Sequence, residues 1–73
     1  MEKKEFMLRE EFIPLSSLLK VMGIAGTGGH AKVMIVSGEV SVNKEVESRI
    51  RRKLRAGDII TVEGIEVKIN PSI

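Results

Sequence analysis

Apolar residues follow a helical period in the first half of the chain and an alternating period in the second half. Over residues 15–22, apolar side chains recur three and four positions apart, which predicts a short helix with one apolar stripe. A second helix is predicted over residues 28–37. Gly23 and Gly38 follow these segments and are expected to end the helices in the left-handed conformation. The two helices are therefore expected to pack as a hairpin.

Hydroxyl side chains stand near the start of both predicted helices. Ser16 and Ser17 are candidates to cap the first amides of the first helix, and the preceding Pro14 suits the entry to a helix. Thr27 is the expected N-cap of the second helix, because it precedes the first residues with helical spacing.

Alternating apolar and polar residues predict strands on both sides of the helices. Asn43-Lys44 lies between two such segments and is expected to form a turn. Residues 47–55 contain few apolar side chains and are interpreted as a loop that runs into an edge strand. The order of strand, helix, helix and several strands indicates an α+β fold. The predicted strands are 5–13, 40–42, 59–63 and 65–69.

The length and composition of the chain restrict its chemistry. Its 73 residues are expected to form a single domain, 1–73, with a small core. The chain has no cysteine, which fits a reducing compartment, and His30 is its only histidine. It has no serine-nucleophile motif, no apolar run long enough to cross a membrane and no secretory signal. The sequence therefore predicts a cytoplasmic protein that is not an enzyme and holds no metal or cofactor.

Positive charge is concentrated in the middle of the chain. The formal net charge is only +2, yet residues 16–57 carry eight Lys and Arg against three Glu, a net of +5 for that block. Because the arginine guanidinium holds phosphate oxygens in two places, such a cluster favours a phosphate-rich partner. The alternative is a solvated face whose charges protect an edge strand from aggregation. Five of these cations, here called the basic cluster, are Arg49, Arg51, Arg52, Lys53 and Arg55.

A glycine-rich segment precedes the second predicted helix. Its residues 26–31 fit the spacing G-x-G-x-x-A, but a dinucleotide site needs a preceding strand, and here a helix precedes the segment. The backbone amides of Gly28 and Gly29 remain candidates for holding one phosphate, with Lys32 one turn further on. Alternatively, these glycines only form the turn between the helices. His30 is either a surface residue at the helix start or a contact to a phosphate or base.

Aromatic residues are almost absent, which bears on how a nucleic acid would be bound. Proteins that bind single strands stack bases on aromatic side chains. This chain has only Phe6 and Phe12, and the strand pattern predicts both as core residues. Duplex or folded RNA, contacted through phosphates and 2′-hydroxyls, therefore fits better than single-stranded nucleic acid.

Residues 15–58 resemble the RNA-binding domain named after ribosomal protein S-four. The resemblance rests on the segment 35–43, IVSGEVSVN, and on the segment 53–62, KLRAGDIITV. More narrowly, the chain is similar to the short stand-alone bacterial members of the YbcJ and YaaA type. This chain matches their pattern at Leu18-Leu19-Lys20, at residues 28–32, at Glu45-Val46-Glu47 and at Arg49.

The resemblance implies the αL motif, in which two short helices pack on a small, bent antiparallel sheet of three to five strands, with a core motif at 15–63. In this family the RNA surface lies across the helix pair and the adjacent loop. By resemblance, the contacts in this chain would come from Lys20, His30, Lys32, Asn43, Arg49, Arg52 and Lys53. Lys44, Arg51 and Arg55, together with the backbone of Gly28 and Gly29, complete the predicted surface.

The expected function is thus that of a non-catalytic, monomeric RNA-binding protein. It would contact the phosphate backbone of structured RNA, either ribosomal or tRNA-like, with association to the ribosome or another ribonucleoprotein as an open option. The alternative is a protein-interaction adaptor that binds no nucleic acid.

Overall fold

The computed structural model describes residues 1–72, which form seven strands and two helices. The helices follow two strands and precede the other five. In chain order the elements are β1 (Glu2–Leu8), β2 (Ile13–Pro14), α1 (Leu15–Val21), α2 (Gly28–Val36), β3 (Val40–Val42), β4 (Glu45–Val46), β5 (Lys53–Leu54), β6 (Ile59–Val62) and β7 (Ile65–Pro71).

The strands form one sheet of five strands and one of two. The larger sheet has the order β1-β7-β6-β3-β4, and β2 pairs with β5 in the smaller one. The predicted α+β class is confirmed, with two helices packed on a sheet. The sheet is mixed and not antiparallel as expected, because β1 runs parallel to β7. Such a parallel pair needs a long connection, which the helices and the intervening strands supply.

The first strand differs from its prediction at both ends. The sequence predicts a strand over 5–13, but β1 begins at Glu2 and ends at Leu8. The polar residues at its start give no alternating pattern, and they are held in the strand by pairing along β7, from Glu2 opposite Ile65 to Leu8 opposite Pro71. The chain leaves the sheet before Phe12, so this side chain is not part of a strand.

The core lies between the helices and one face of the larger sheet. Gly23 and Gly38 have φ values of +75° and +81°, which confirms that both glycines adopt the left-handed conformation after the helices. The helices contact each other through apolar side chains at the predicted spacing. Among the fully buried residues of this core are Leu15, Leu18, Leu19, Ala31, Ile35, Val40, Ile60, Val67 and Ile69.

Candidate nucleic-acid interface

The loop that carries most of the basic cluster is attached to the start of α1. The backbone amide of Leu15 donates to the carbonyl of Arg52 over 2.9 Å, and that of Ser16 donates to the carbonyl of Ile50 over 3.1 Å. The first two amides of α1 are thus satisfied by the loop. The predicted serine cap is wrong: Pro14 is the N-cap residue, and within residues 1–72 no side chain caps this helix. We call residues 47–52 the arginine loop.

A nearly buried carboxylate organises the arginine loop. The Glu47 side chain is 9% exposed. Its Oε2 accepts hydrogen bonds from the backbone amide and the Nε of Arg49 over 3.0 and 2.9 Å. Its Oε1 accepts from Nη2 of Arg49 over 3.0 Å and from Nη1 of Arg52 over 2.6 Å. One carboxylate therefore holds two arginines of the basic cluster, a role that sequence reasoning missed.

These hydrogen bonds change the acidity of the carboxyl group. The side-chain hydrogen bond from Arg49, followed by that from Arg52, lowers the pKa of Glu47 from 4.5 to about 2. Burial acts in the opposite direction but does not prevail, because the carboxylate is compensated by two cations. The hydrogen bond to Glu47, together with its negative charge, raises the pKa of Arg49. The ion pair is therefore fully charged at neutral pH.

Four cations line a concavity of about 400 Å³ on this side of the molecule. They are not equally exposed: the Arg49 side chain is 71% exposed and that of Arg52 only 28%. Guanidinium and ammonium groups that converge on one concavity favour an anion with several oxygens, such as a phosphate. The lining residues are Arg49, Arg51, Arg52 and Lys53.

The basic cluster continues onto the ring of Phe12. Lys53 Nζ lies 4.9 Å from the ring centroid, and Arg55 Cζ lies 5.9 Å from it, both within the range of a cation–π contact. Arg55 also contacts Glu11, with Nη1 3.5 Å from Oε1. The prediction that Phe12 belongs to the strand core is wrong, because the ring is only half-buried and supports two cations. Phe6, in contrast, packs against the core as expected.

Asn43 has a structural role that competes with its predicted RNA contact. Its Nδ2 donates to Oδ1 of Asp58 over 3.0 Å, and its Oδ1 accepts from the amide of Ile59 over 2.9 Å. Both ends of the amide are therefore engaged within the protein. The adjacent Lys44 is exposed at the turn between β3 and β4, and both turn residues have positive φ, 52° and 72°. This confirms the predicted turn.

The predicted contact residues of the helix pair lie on the surface and are separate from the arginine loop. Thr27 caps α2 as expected, because its Oγ1 accepts from the amide of His30 over 3.0 Å. His30 Nδ1 accepts from the amide of Gly26 over 3.3 Å, which ties the imidazole ring to the segment before α2. In the part of the chain that the structure describes, no hydrogen bond or ion pair joins these residues to the basic cluster. The exposed candidates here are Lys20, Gly28, Gly29, His30 and Lys32.

A second concavity lies on the face of the larger sheet and has mixed chemistry. Its volume is about 480 Å³, and its lining combines Lys44 and Glu66 with hydroxyl and apolar side chains. Charges of both signs make it less suited to a polyanion than the basic cluster.

Among residues 1–72, no group of three or more potential ligands could hold a metal ion. Neither described helix has the length and apolar character needed to cross a membrane.

Comparison with known proteins gives consistent relatives. The family model described as the S4 domain matches residues 6–70. RlbA of Bacillus subtilis strain 168, named provisionally as a ribosome maturation protein, is 41% identical over 54 residues, which cover 74% of this chain and 76% of RlbA. YbcJ of Escherichia coli K12, named provisionally as an RNA-binding protein, is 37% identical over 57 residues, covering 78% of this chain and 81% of YbcJ.

A solved structure shows the same fold. The solution structure of YbcJ from Escherichia coli, described as revealing an αL motif involved in RNA binding, superimposes with a TM-score of 0.68 and 31% identity. The match covers 96% of this chain and 87% of the YbcJ chain. The resemblance and the αL architecture derived from it are therefore confirmed.

Proposed function

The chain belongs to the S4 domain family, and on that premise we propose that it binds structured RNA by contacting the phosphate backbone with the basic cluster. We take the whole chain, 1–73, as one RNA-binding domain. The family and the relatives indicate a non-enzymatic protein.

The observation that carries this proposal is the convergence of Arg49, Arg51, Arg52 and Lys53 on one concavity. Backbone phosphates present oxygens to several such donors at once, and each neutralised phosphate releases counterions. The arginine loop is hydrogen-bonded to the start of α1 through the carbonyls of Ile50 and Arg52. An RNA that fills the concavity would therefore lie next to the start of α1.

The aromatic residues favour folded RNA over a single strand. Phe6 packs against the core, and the ring of Phe12 already supports Lys53 and Arg55. Neither ring is a free platform for an unpaired base, which single-strand binding generally uses. Contacts to phosphates and 2′-hydroxyls of a helical RNA need no such platform.

The relatives favour ribosomal RNA among structured RNAs. RlbA carries the name of a ribosome maturation protein, and YbcJ that of an RNA-binding protein. We extend both to this chain and propose a cytoplasmic, monomeric protein that associates with ribosomal RNA or an immature ribosomal particle. A tRNA-like RNA is the next candidate, because it presents a similar phosphate surface.

Titration with four nucleic acids tests the proposal: a ribosomal RNA hairpin, a tRNA, a single strand of equal length and a DNA duplex, each at two salt concentrations. If about four to six phosphates are neutralised, the slope of log K against log salt should be roughly −3 to −5 for the preferred duplex RNA. Structured RNA should bind most tightly. Absence of binding to any RNA at low salt would contradict the proposal and favour the protein adaptor.

A further inference from the structure

The backbone of Glu47 is bound to the sheet independently of its arginine partners. Its backbone amide donates to the carbonyl of Val40 over 2.9 Å, which extends the contact between β3 and the segment after β4. Val40 and Val42 on β3 are buried in the core. The backbone of Glu47 is therefore held by a strand of the core, and its carboxylate reaches the arginines from that anchored position.

Both carboxylate oxygens are used within the arginine loop. Arg49 binds with its backbone amide and with two guanidinium nitrogens, and Arg52 binds with one. A guanidinium held by two parallel hydrogen bonds has a defined plane and direction. Arg49 Nη1 is not among the atoms bound to Glu47, and 71% of the Arg49 side chain is exposed. The outer edge of this guanidinium is thus available to a ligand.

The negative charge of Glu47 reduces the electrostatic attraction of the concavity for anions. The concavity attracts anions through its cations, and a carboxylate among them subtracts one unit of charge. The ion pair with Arg52 is also weak evidence of net stabilisation, because the Glu47 carboxylate and the Arg52 guanidinium are largely removed from water. What the carboxylate supplies is geometry, since it converts flexible arginines into donors with one orientation. Less side-chain entropy is then lost when a ligand binds.

We propose that Glu47 is a positioning residue of the RNA site: it fixes Arg49 and Arg52 as one oriented pair of guanidinium groups facing phosphates in the concavity lined by Arg51 and Lys53. This inference rests on the proposed function, since it concerns how the same surface binds RNA. Glu47 itself makes no contact with the RNA and acts through the two arginines.

The substitution Glu47→Gln tests the proposal through the sign of its effect. It removes a negative charge beside the site, so electrostatic attraction alone predicts tighter RNA binding. The proposal predicts binding weaker by about five- to tenfold, because a glutamine amide group directed at guanidinium donors cannot hold both arginines. Glu45→Gln is the charge-matched control: Glu45 is exposed, and among residues 1–72 it forms no ion pair. Its affinity should be unchanged or slightly higher.

A measurement on the free protein separates positioning from loss of structure. In the native protein, the Arg49 Nε–H should give a slowly exchanging NMR signal, because it is bound to Glu47 over 2.9 Å. In Glu47→Gln this signal should be lost while the dispersed backbone amide signals remain. If Glu47→Gln does not fold, Arg49→Lys keeps the charge on an exposed side chain but removes the two-point hydrogen bond. That variant should bind RNA about three- to tenfold more weakly.

The outcomes distinguish the two proposals. If the native protein binds no RNA, the proposed function fails, whatever Glu47 does. If it binds RNA, and folded Glu47→Gln binds as tightly or more tightly, the positioning role is overturned while the function stands. If Glu47→Gln does not fold, an unchanged affinity of Arg49→Lys overturns it in the same way.

Discussion

Nη1 of Arg52 lies 2.6 Å from Oε1 of Glu47, and both side chains are largely removed from solvent, at 28% and 9% exposure. This contact ties the last residue of the arginine loop to the first, whose backbone amide is bound to β3. It also means that the cations of the basic cluster are not equivalent. Arg49 and Arg52 compensate a carboxylate, whereas Arg51 and Lys53 line the concavity without binding Glu47.

Removal of the Glu47 carboxylate should destabilise the protein. Glu47→Ala leaves Arg52, only 28% exposed, without its partner. The expected cost is about 2–3 kcal/mol in the free energy of unfolding, because a poorly hydrated charge then lacks compensation. Urea denaturation followed by circular dichroism measures it. Glu45→Ala should stay within ~0.5 kcal/mol of the native value, as is usual for an exposed site. Equal stability of both variants would show that the ion pair contributes nothing to folding.

The same carboxylate should make stability depend on pH in acid. Because the folded state holds the pKa of Glu47 at about 2 against 4.5 for the unperturbed group, the unfolded chain takes up this proton at higher pH. The contribution is therefore complete above pH 4.5 and is lost progressively as the pH falls towards 2. The difference in unfolding free energy between the native protein and Glu47→Gln should shrink over this window. A difference that stays constant from neutral pH to pH 2 would contradict the assigned pKa.

The turn between β3 and β4 offers a stabilising substitution. Lys44 has a φ of +72°, a conformation that a side chain with Cβ adopts at a cost. Lys44→Gly should therefore raise the free energy of unfolding by about 1 kcal/mol. Lys44→Ala is the control, because alanine keeps the Cβ and the strain. If alanine stabilises as much as glycine, the gain comes from removing the lysine charge and not from the backbone.

The ring of Phe12 should support RNA binding without contributing a stacking surface. Phe12→Leu keeps an apolar side chain but removes the face on which Lys53 and Arg55 lie. Loss of cation–π contacts worth about 0.5–1 kcal/mol predicts RNA affinity reduced by about two- to fivefold. Phe6→Leu is the matched control, since Phe6 packs against the core and, among residues 1–72, no cation lies over its ring. It should lower stability but not affinity, and a reversed pattern would remove Phe12 from the interface.

The sequence predicts much of this fold because, in most elements, local signals are not overridden by contacts with residues far along the chain. Gly38 ends α2 as its position indicates, and Thr27 caps that helix through its own hydroxyl group. At α1 the equivalent prediction fails. The helix begins at Leu15, so Ser16 and Ser17 lie inside it and not at its cap position, and the amide of Ser16 is bound to the carbonyl of Ile50, a residue far along the chain. β1 fails for a similar reason, because its polar start is held by pairing with β7.

The candidate site is predicted less completely than the fold. The basic cluster is visible as a run of cations, but the sequence contains no sign of which arginine is held and which is free. Glu47 is the residue missed. An acidic residue two positions before Arg49 and five before Arg52 is the available signal, and it gains meaning only when the loop folds back on the carboxylate. Phe12 is misassigned because its hydrophobicity resembles that of the neighbouring core residue Ile13.

The most direct test of the central claim compares two charge-matched double variants for binding to the same ribosomal RNA hairpin. Arg51→Ala with Lys53→Ala removes two cations that line the concavity and do not pair with Glu47. Lys3→Ala with Lys68→Ala removes two exposed cations from the sheet. If RNA binds at the basic cluster, the first pair should weaken binding by about 10- to 100-fold and flatten the salt slope by about two, while the second pair should change affinity much less. Equal losses from the two pairs would contradict an RNA interface at the basic cluster.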